Sequence, residues 1–162
     1  QSETDQLTGL YNRRYFFEHC RQRRAGEAPC ALVMLDIDHF KQINDRFGHQ
    51  QGDRALQRFC ACVAAQLRAD DLFVRSGGEE FLILLPGMSE PDLLALAERI
   101  RAAVAALPAD PAAFTVSLGT TLVRPGEEIN QALARADEWL YRAKRAGRNR
   151  VAHCPAATGE QG

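Results

Sequence analysis

The chain has 162 residues, 46% hydrophobic and 25% charged, the balance of one globular domain with an ordinary core, which excludes a disordered chain and a disulfide scaffold. A formal net charge of -1 offers no field for long nucleic acid or direct membrane contact, so any phosphate ligand must be held by a few local cations. Five cysteines (Cys20, Cys30, Cys60, Cys62, Cys154) without a CxxC pair point to reduced thiols in a cytoplasmic setting, and no apolar run approaches the ~20 residues of a membrane span.

Residues 1–4 are expected to be the end of a linker or helix arriving from an upstream sensor or regulatory segment, since the chain opens with Gln1 rather than Met. Asp5 to Arg14 sets turn formers against apolar anchors, and Tyr15 to Arg24 reads as an amphipathic helix with Phe16, Phe17 and Cys20 on one face. Cys30-Ala31-Leu32-Val33-Met34-Leu35 is a continuous apolar run ending in Asp36-Ile37-Asp38, the pattern of a buried strand whose last residues emerge carrying carboxylates. Phe40, Ile43 and Phe47 recur at three and four, so a short helix ended by Gly48 can bury them while Lys41, Asn44 and Asp45 face elsewhere.

The next helix is expected from Asp53 to Leu67, burying Leu56, Phe59, Val63 and Leu67. Asp53 then sits at its start, as a cap or as a ligand group. By themselves Arg68 and Asp71 read as a surface ion pair. The runs Leu72-Phe73-Val74 and Phe81-Leu82-Ile83-Leu84-Leu85 flank Arg75-Ser76-Gly77-Gly78-Glu79-Glu80, which predicts a hairpin over 72–85 whose Gly77 and Gly78, tolerant of positive φ and without a Cβ, can turn sharply and let a ligand approach the backbone. A hard divalent cation needs oxygen ligands on separate rigid elements, and Asp36 with Glu79 meets that need if strand and hairpin are neighbours.

Glu90 to Leu107 predicts a helix with Leu93, Leu96, Ile100, Val104 and Leu107 inward and Arg99 exposed. Phe114 to Val123 is β-rich. Glu127 to Ala146 predicts a helix with Ile129, Leu133, Ala136, Leu140 and Tyr141 inward, ended by Gly147. Lys144 and Arg148 lie at its C-terminus, where the dipole alone favours cations. Asn149 to His153 reads as a last short strand, and residues 155–162 as a disordered tail.

Five spaced stretches together resemble the GGDEF family, the diguanylate cyclases: Asp5-x-Leu7-Thr8-Gly9-Leu10-x-Asn12-Arg13-Arg14; Asp36-Ile37-Asp38-His39-Phe40-Lys41-x-Ile43-Asn44-Asp45; Gly48-His49-x-x-Gly52-Asp53; Gly77-Gly78-Glu79-Glu80-Phe81; and Tyr141-x-Ala143-Lys144-x-x-Gly147-Arg148-Asn149. The resemblance implies one catalytic domain over residues 5–154, of the α/β (α+β) class: palm-like, with a central, mainly antiparallel five-stranded sheet flanked by helices. It implies condensation of two GTP into cyclic di-GMP with release of two pyrophosphates.

Carried over, it makes Asp36, the Ile37 carbonyl and Glu79 the ligands of Mg²⁺, two per active site with Mn²⁺ as an alternative. It makes Glu79 also the proton acceptor for the attacking 3′-hydroxyl. Asn44 and Asp53 would read guanine beside His49. Lys41, Lys144 and Arg148 would hold the triphosphate, with Arg75 nearby and Gly77 and Gly78 at the turn. Arg68, Asp71 and Arg99 match the family's inhibitory product site, which would bind cyclic di-GMP as a feedback inhibitor.

The resemblance further implies a homodimer that closes the active site between two domains. Ser76 departs from the family, which more often has a larger apolar or aromatic residue there. The competing reading is a catalytically silent domain that binds GTP or cyclic di-GMP and signals through partners.

Overall fold

The computed structural model describes residues 2–23 and 29–156. Its elements are β1 (Tyr11–Asn12), α1 (Arg13–Arg21), β2 (Cys30–Ile37), α2 (Phe40–Phe47), α3 (His49–Ala64), β3 (Leu72–Arg75), β4 (Glu80–Pro86), α4 (Glu90–Ala105), β5 (Val116–Val123), α5 (Ile129–Arg145) and β6 (Val151–His153). The strands form one sheet in the order β1-β3-β4-β2-β5-β6. The central four pair antiparallel, and the edge strands β1 and β6 pair parallel to β3 and β5.

The sheet has six strands where five were expected. The sixth, β1, is two residues long, and its Tyr11 and Asn12 carry no alternating apolar pattern that would mark them as a strand; they pair with Val74 and Arg75. Residues 2–4 are not helical: Thr4 bridges Tyr11, and the Asn12 N–H donates to the Glu3 carbonyl at 2.9 Å. Of the expected tail, residues 157–162 lie outside the described residues.

Side-chain alternation along β2 builds two cores. Ala31, Val33, Leu35 and Ile37 meet the inner faces of α2, α3 and α4, whereas Cys30 and Leu32 meet α1 and α5. β5 and α5 approach so closely that a Cβ on Gly119 would lie 2.3 Å from both the Ala136 carbonyl oxygen and the Leu140 nitrogen. The same parity puts Asp36 and Asp38 on the α5 side of the sheet, at the strand end where α5 finishes.

Three expected placements shift. Helix α3 starts at His49, four residues before Asp53, because Gly52 is accommodated inside the helix and buried; Gly48 is its cap, so Asp53 caps nothing. Tyr141 is 58% exposed, because one helical step of about 100° carries it away from inward-facing Leu140, and Ala143 is buried instead. The hairpin turns through three residues, 77–79, with both the Ser76 and Gly77 N–H groups donating to the Glu80 carbonyl. Neither Gly77 nor Gly78 adopts positive φ.

Candidate active site at the β2 and hairpin ends

Asp36 lies one residue before the end of β2, directly opposite Glu80 on β4. The Ile37 N–H donates to the Glu79 carbonyl at 3.3 Å, which seats the hairpin turn beside the strand end. Asp36 is 5% exposed. One of its oxygens, Oδ2, is bonded by the Lys144 ammonium from the last turn of α5. The other, Oδ1, is buried and, among the described residues, has no hydrogen-bond partner.

A buried carboxylate oxygen left without a donor costs free energy unless something positive fills the gap. Burial, outweighing the Lys144 contact and reinforced by the charges of Glu79 and Glu80, pushes the Asp36 carboxyl up to about 6. Among the described residues no three His, Cys, Asp or Glu side chains are grouped to hold a metal alone. Glu79 lies close enough for its charge to act on Asp36, and these two carboxylates with the Ile37 carbonyl make an all-oxygen set, the donor chemistry that a hard ion such as Mg²⁺ takes.

From this strand end the chain passes through His39, held at φ 56°, into α2, whose N-terminus carries no side-chain cap. Uncapped helix amides are ready partners for phosphate oxygens, and motif reading alone did not single them out. Asn44 follows Phe40 by four residues, about 6 Å along the helix. Its amide lies over Gly52, where a Cβ would meet the Asn44 Oδ1 at 1.7 Å, so the missing side chain seats Asn44 beside Gly52-Asp53. His49 and Asp53 are exposed in the first turns of α3.

The predicted cations divide. Lys144 stands at Asp36. Lys41 is exposed and pairs with Asp45 one turn on, at 2.9 Å. Arg148 follows α5 at φ 62°, between Gly147 at 126° and Asn149 at 48°; a left-handed conformation costs a non-glycine residue about 1–2 kcal/mol.

Arg75 is spent elsewhere: its Nε and Nη2 donate to the Gly78 carbonyl at 3.0 and 2.7 Å, and its Nη1 meets the Asp5 carboxylate at 3.1 Å. These contacts tie the hairpin turn to the Asp5 loop. Asp5 in turn accepts the Thr8 N–H and hydroxyl at 2.9 and 2.6 Å. Burial raises the Asp5 carboxyl, and the Thr8 and Arg75 contacts more than offset this, so it lies below its ordinary value. No Cβ or neighbour crowds Gly78, where the space is open.

The sequence pattern of the family described as "Diguanylate cyclase, GGDEF domain" matches residues 2–150. The chain belongs to the GGDEF family. This GGDEF domain is 44% identical over 156 residues to the diguanylate cyclase DgcP of Pseudomonas aeruginosa, covering 91% of this chain and 23% of that protein. It is 42% identical over 159 residues to the response regulator PleD of Caulobacter vibrioides, covering 91% and 35% respectively. It therefore spans about a quarter to a third of the length of these relatives. The solved GGDEF domain of DgcB from Caulobacter crescentus, in complex with c-di-GMP, superposes with a TM-score of 0.87 at 35% identity, covering 94% of this chain and 96% of that one.

Within this GGDEF domain the residues matched to an inhibitory site sit at the opposite end of the hairpin, about 20 Å from the turn by strand length. Arg68 and Asp71 are bonded to each other at 2.6 Å, Arg68 also donates to the Pro86 carbonyl at 2.9 Å, and the Asp71 side chain is fully covered. Arg99 on α4 donates to the Gln66 side chain at 3.1 Å. The two elements stand as neighbours, with the Arg68–Asp71 pair closed. No helix among the described residues is long and apolar enough to cross a membrane.

Proposed function

We propose that this chain is the catalytic domain of a diguanylate cyclase that joins two GTP into cyclic di-GMP and releases two pyrophosphates, working as a homodimer on the cytoplasmic side of whatever assembly carries it. The observation that carries the reading is the buried, partnerless Asp36 Oδ1 beside Glu79 and Lys144, one short helix away from Asn44 and Asp53.

Guanine presents N1–H and N2–H₂ donors, and Asp53 can accept from both; adenine has no matching pair. Asn44, with an acceptor and donors on one amide, complements Asp53 from α2, and His49 lines the same side. The first-turn amides of α2, with Lys41, Lys144 and Arg148, hold the triphosphate oxygens. Asp36, Glu79 and the Ile37 carbonyl would hold Mg²⁺ or Mn²⁺, two per site. Bound there, the ions supply neutralisation of the triphosphate and acidification of the 3′-hydroxyl.

Glu79 accepts the proton of that hydroxyl as its oxygen attacks the α-phosphorus of the facing GTP and the bond to pyrophosphate breaks. Repeating the step with the roles exchanged closes the ring. Since one domain offers one guanine site, the partner domain must present the second GTP. Cyclic di-GMP would bind at Arg68, Asp71 and Arg99 as an inhibitor, which requires the Arg68–Asp71 pair to open.

Chromatography of a reaction with GTP and Mg²⁺ tests the reading. One cyclic di-GMP for every two pyrophosphates supports it. Tight binding of GTP or cyclic di-GMP with no product in an enforced dimer would instead make the domain a receptor.

A further inference from the structure

Asp38 is a buried carboxylate that the proposed chemistry does not use. It is 5% exposed and shares the strand end with Asp36, yet every contact turns it away from a ligand role. Its Oδ1 accepts the Ser117 hydroxyl at 2.6 Å, and its Oδ2 accepts the Thr115 hydroxyl at 2.6 Å and the Asn149 backbone N–H at 3.0 Å.

The last contact reaches across 111 residues to the left-handed turn formed by Gly147, Arg148 and Asn149. Two consecutive non-glycine residues at positive φ persist only where their surroundings hold them. Here the holds are visible. The Arg148 N–H donates to the Ala143 carbonyl at 3.0 Å, and the Arg150 Nε to the Arg148 carbonyl at 3.1 Å. From α4 the Arg101 Nη1 donates to the Asn149 Oδ1 at 2.9 Å, while Glu98 fixes the Arg101 guanidinium at 2.6 Å. Asp38 binds the backbone of Asn149 and Arg101 its side chain, so the residue after Arg148 is clamped from two elements.

We propose that Asp38 is a positioning residue for phosphate binding: with Arg101 it locks the 147–149 turn so that Arg148 is presented beside Lys144 at the triphosphate position. The inference rests on the GTP reading above. It separates two neighbouring acids of one motif, Asp36 facing the metal and Asp38 facing the protein. It also gives α4 a part in the active site through Arg101.

The test measures binding of GTP and of GMP to the parent domain, Asp38→Asn, Arg101→Met, Arg148→Ala and the double variants Asp38→Asn/Arg148→Ala and Arg101→Met/Arg148→Ala, with Asn149 amide exchange followed by NMR. A hydrogen bond to a charged group is worth enough that GTP affinity should fall about tenfold in Asp38→Asn, with GMP affinity unchanged. In the Arg148→Ala background the same change should cost nothing more, and Asn149 exchange should accelerate. Arg101→Met, at a half-buried position on α4, should repeat the pattern more weakly and carries the test if Asp38→Asn does not fold. Equal losses for GTP and GMP, or undiminished losses without Arg148, would overturn the role. A parent domain that binds no GTP overturns the substrate reading and this inference with it, a failure distinct from intact GTP binding with no Asp38–Arg148 coupling.

Discussion

Gly52→Ala should damage nucleotide recognition without damaging the fold. The added methyl would sit 1.7 Å from the Asn44 Oδ1 and 2.9 Å from its Cγ, where real contacts essentially never fall below 3.0 Å. The Asn44 amide must therefore move by at least about 1.3 Å, which takes it out of the 2.7–3.2 Å window of a hydrogen bond to guanine.

One such bond, lost with its partner left unsatisfied, is worth about 1–3 kcal/mol, or about 5- to 150-fold in affinity. Stability responds in the other direction. The displaced atoms are the end of a flexible side chain, the next contact (Phe40 Cζ at 3.4 Å) is ordinary, and alanine is better than glycine inside a helix by about 1 kcal/mol. Calorimetric titration with GTP, alongside thermal unfolding, should show weakened binding with an unchanged or raised Tm. Full GTP affinity in a folded Gly52→Ala domain would refute the placement of Asn44 at the base.

Asp36→Asn should abolish product formation yet melt at or above the parent temperature at pH 7, because a carboxyl raised to about 6 by burial is destabilising when charged. The sign is that this cost is present above pH 6 and is relieved as pH falls toward the unfolded value of 3.8, so the stability gap between variant and parent should narrow on acidification; a variant much less stable than the parent would contradict it. Glu127 behaves oppositely. Burial raises its carboxyl, but the Arg135 contact at 2.6 Å and the Arg124 N–H hold it below its ordinary value of 4.5. Its contribution is therefore present above pH 4.5 and lost as pH falls through the folded value, so Glu127→Gln should cost about 1–3 kcal/mol at pH 7 in denaturant melts and progressively less as the pH is lowered below 4.5. Gly119→Ala drives a methyl into the α5 backbone and should destabilise by about 1–3 kcal/mol or more, in contrast to Gly52→Ala. Arg68→Ala should raise the cyclic di-GMP concentration needed for half inhibition at least tenfold, and unchanged inhibition would remove the Arg68 site from the account.

Much of this fold is legible because burial and period coincide. β2 is buried along its length and reads as one apolar run; α4 shows Leu93, Leu96, Ile100 and Val104 at helical spacing. Legibility fails where a residue's reason lies elsewhere in the chain. Gly48 and Gly52 punctuate the sequence like a loop, and only the Asn44 amide packed over Gly52 explains a glycine inside α3. Arg75 reads as a cation beside a phosphate site, while the partners it has here are the Gly77 and Gly78 carbonyls of its own turn and Asp5, 70 residues away. Asp36 and Asp38 are alike in residue type and in their place at a strand end; the family resemblance singles out Asp36, and the contacts of Asp38 with Ser117, Thr115 and Asn149 give the physical difference.

The dependence of rate on protein concentration tests the central claim most directly. Cyclic di-GMP formation from GTP and Mg²⁺ should rise faster than linearly with domain concentration, become linear when two domains are tethered, and vanish in Glu79→Gln. A rate strictly proportional to concentration in the untethered domain, or undiminished product from Glu79→Gln, would contradict a cyclase whose active site is completed across two domains by the residues at the β2 and hairpin ends.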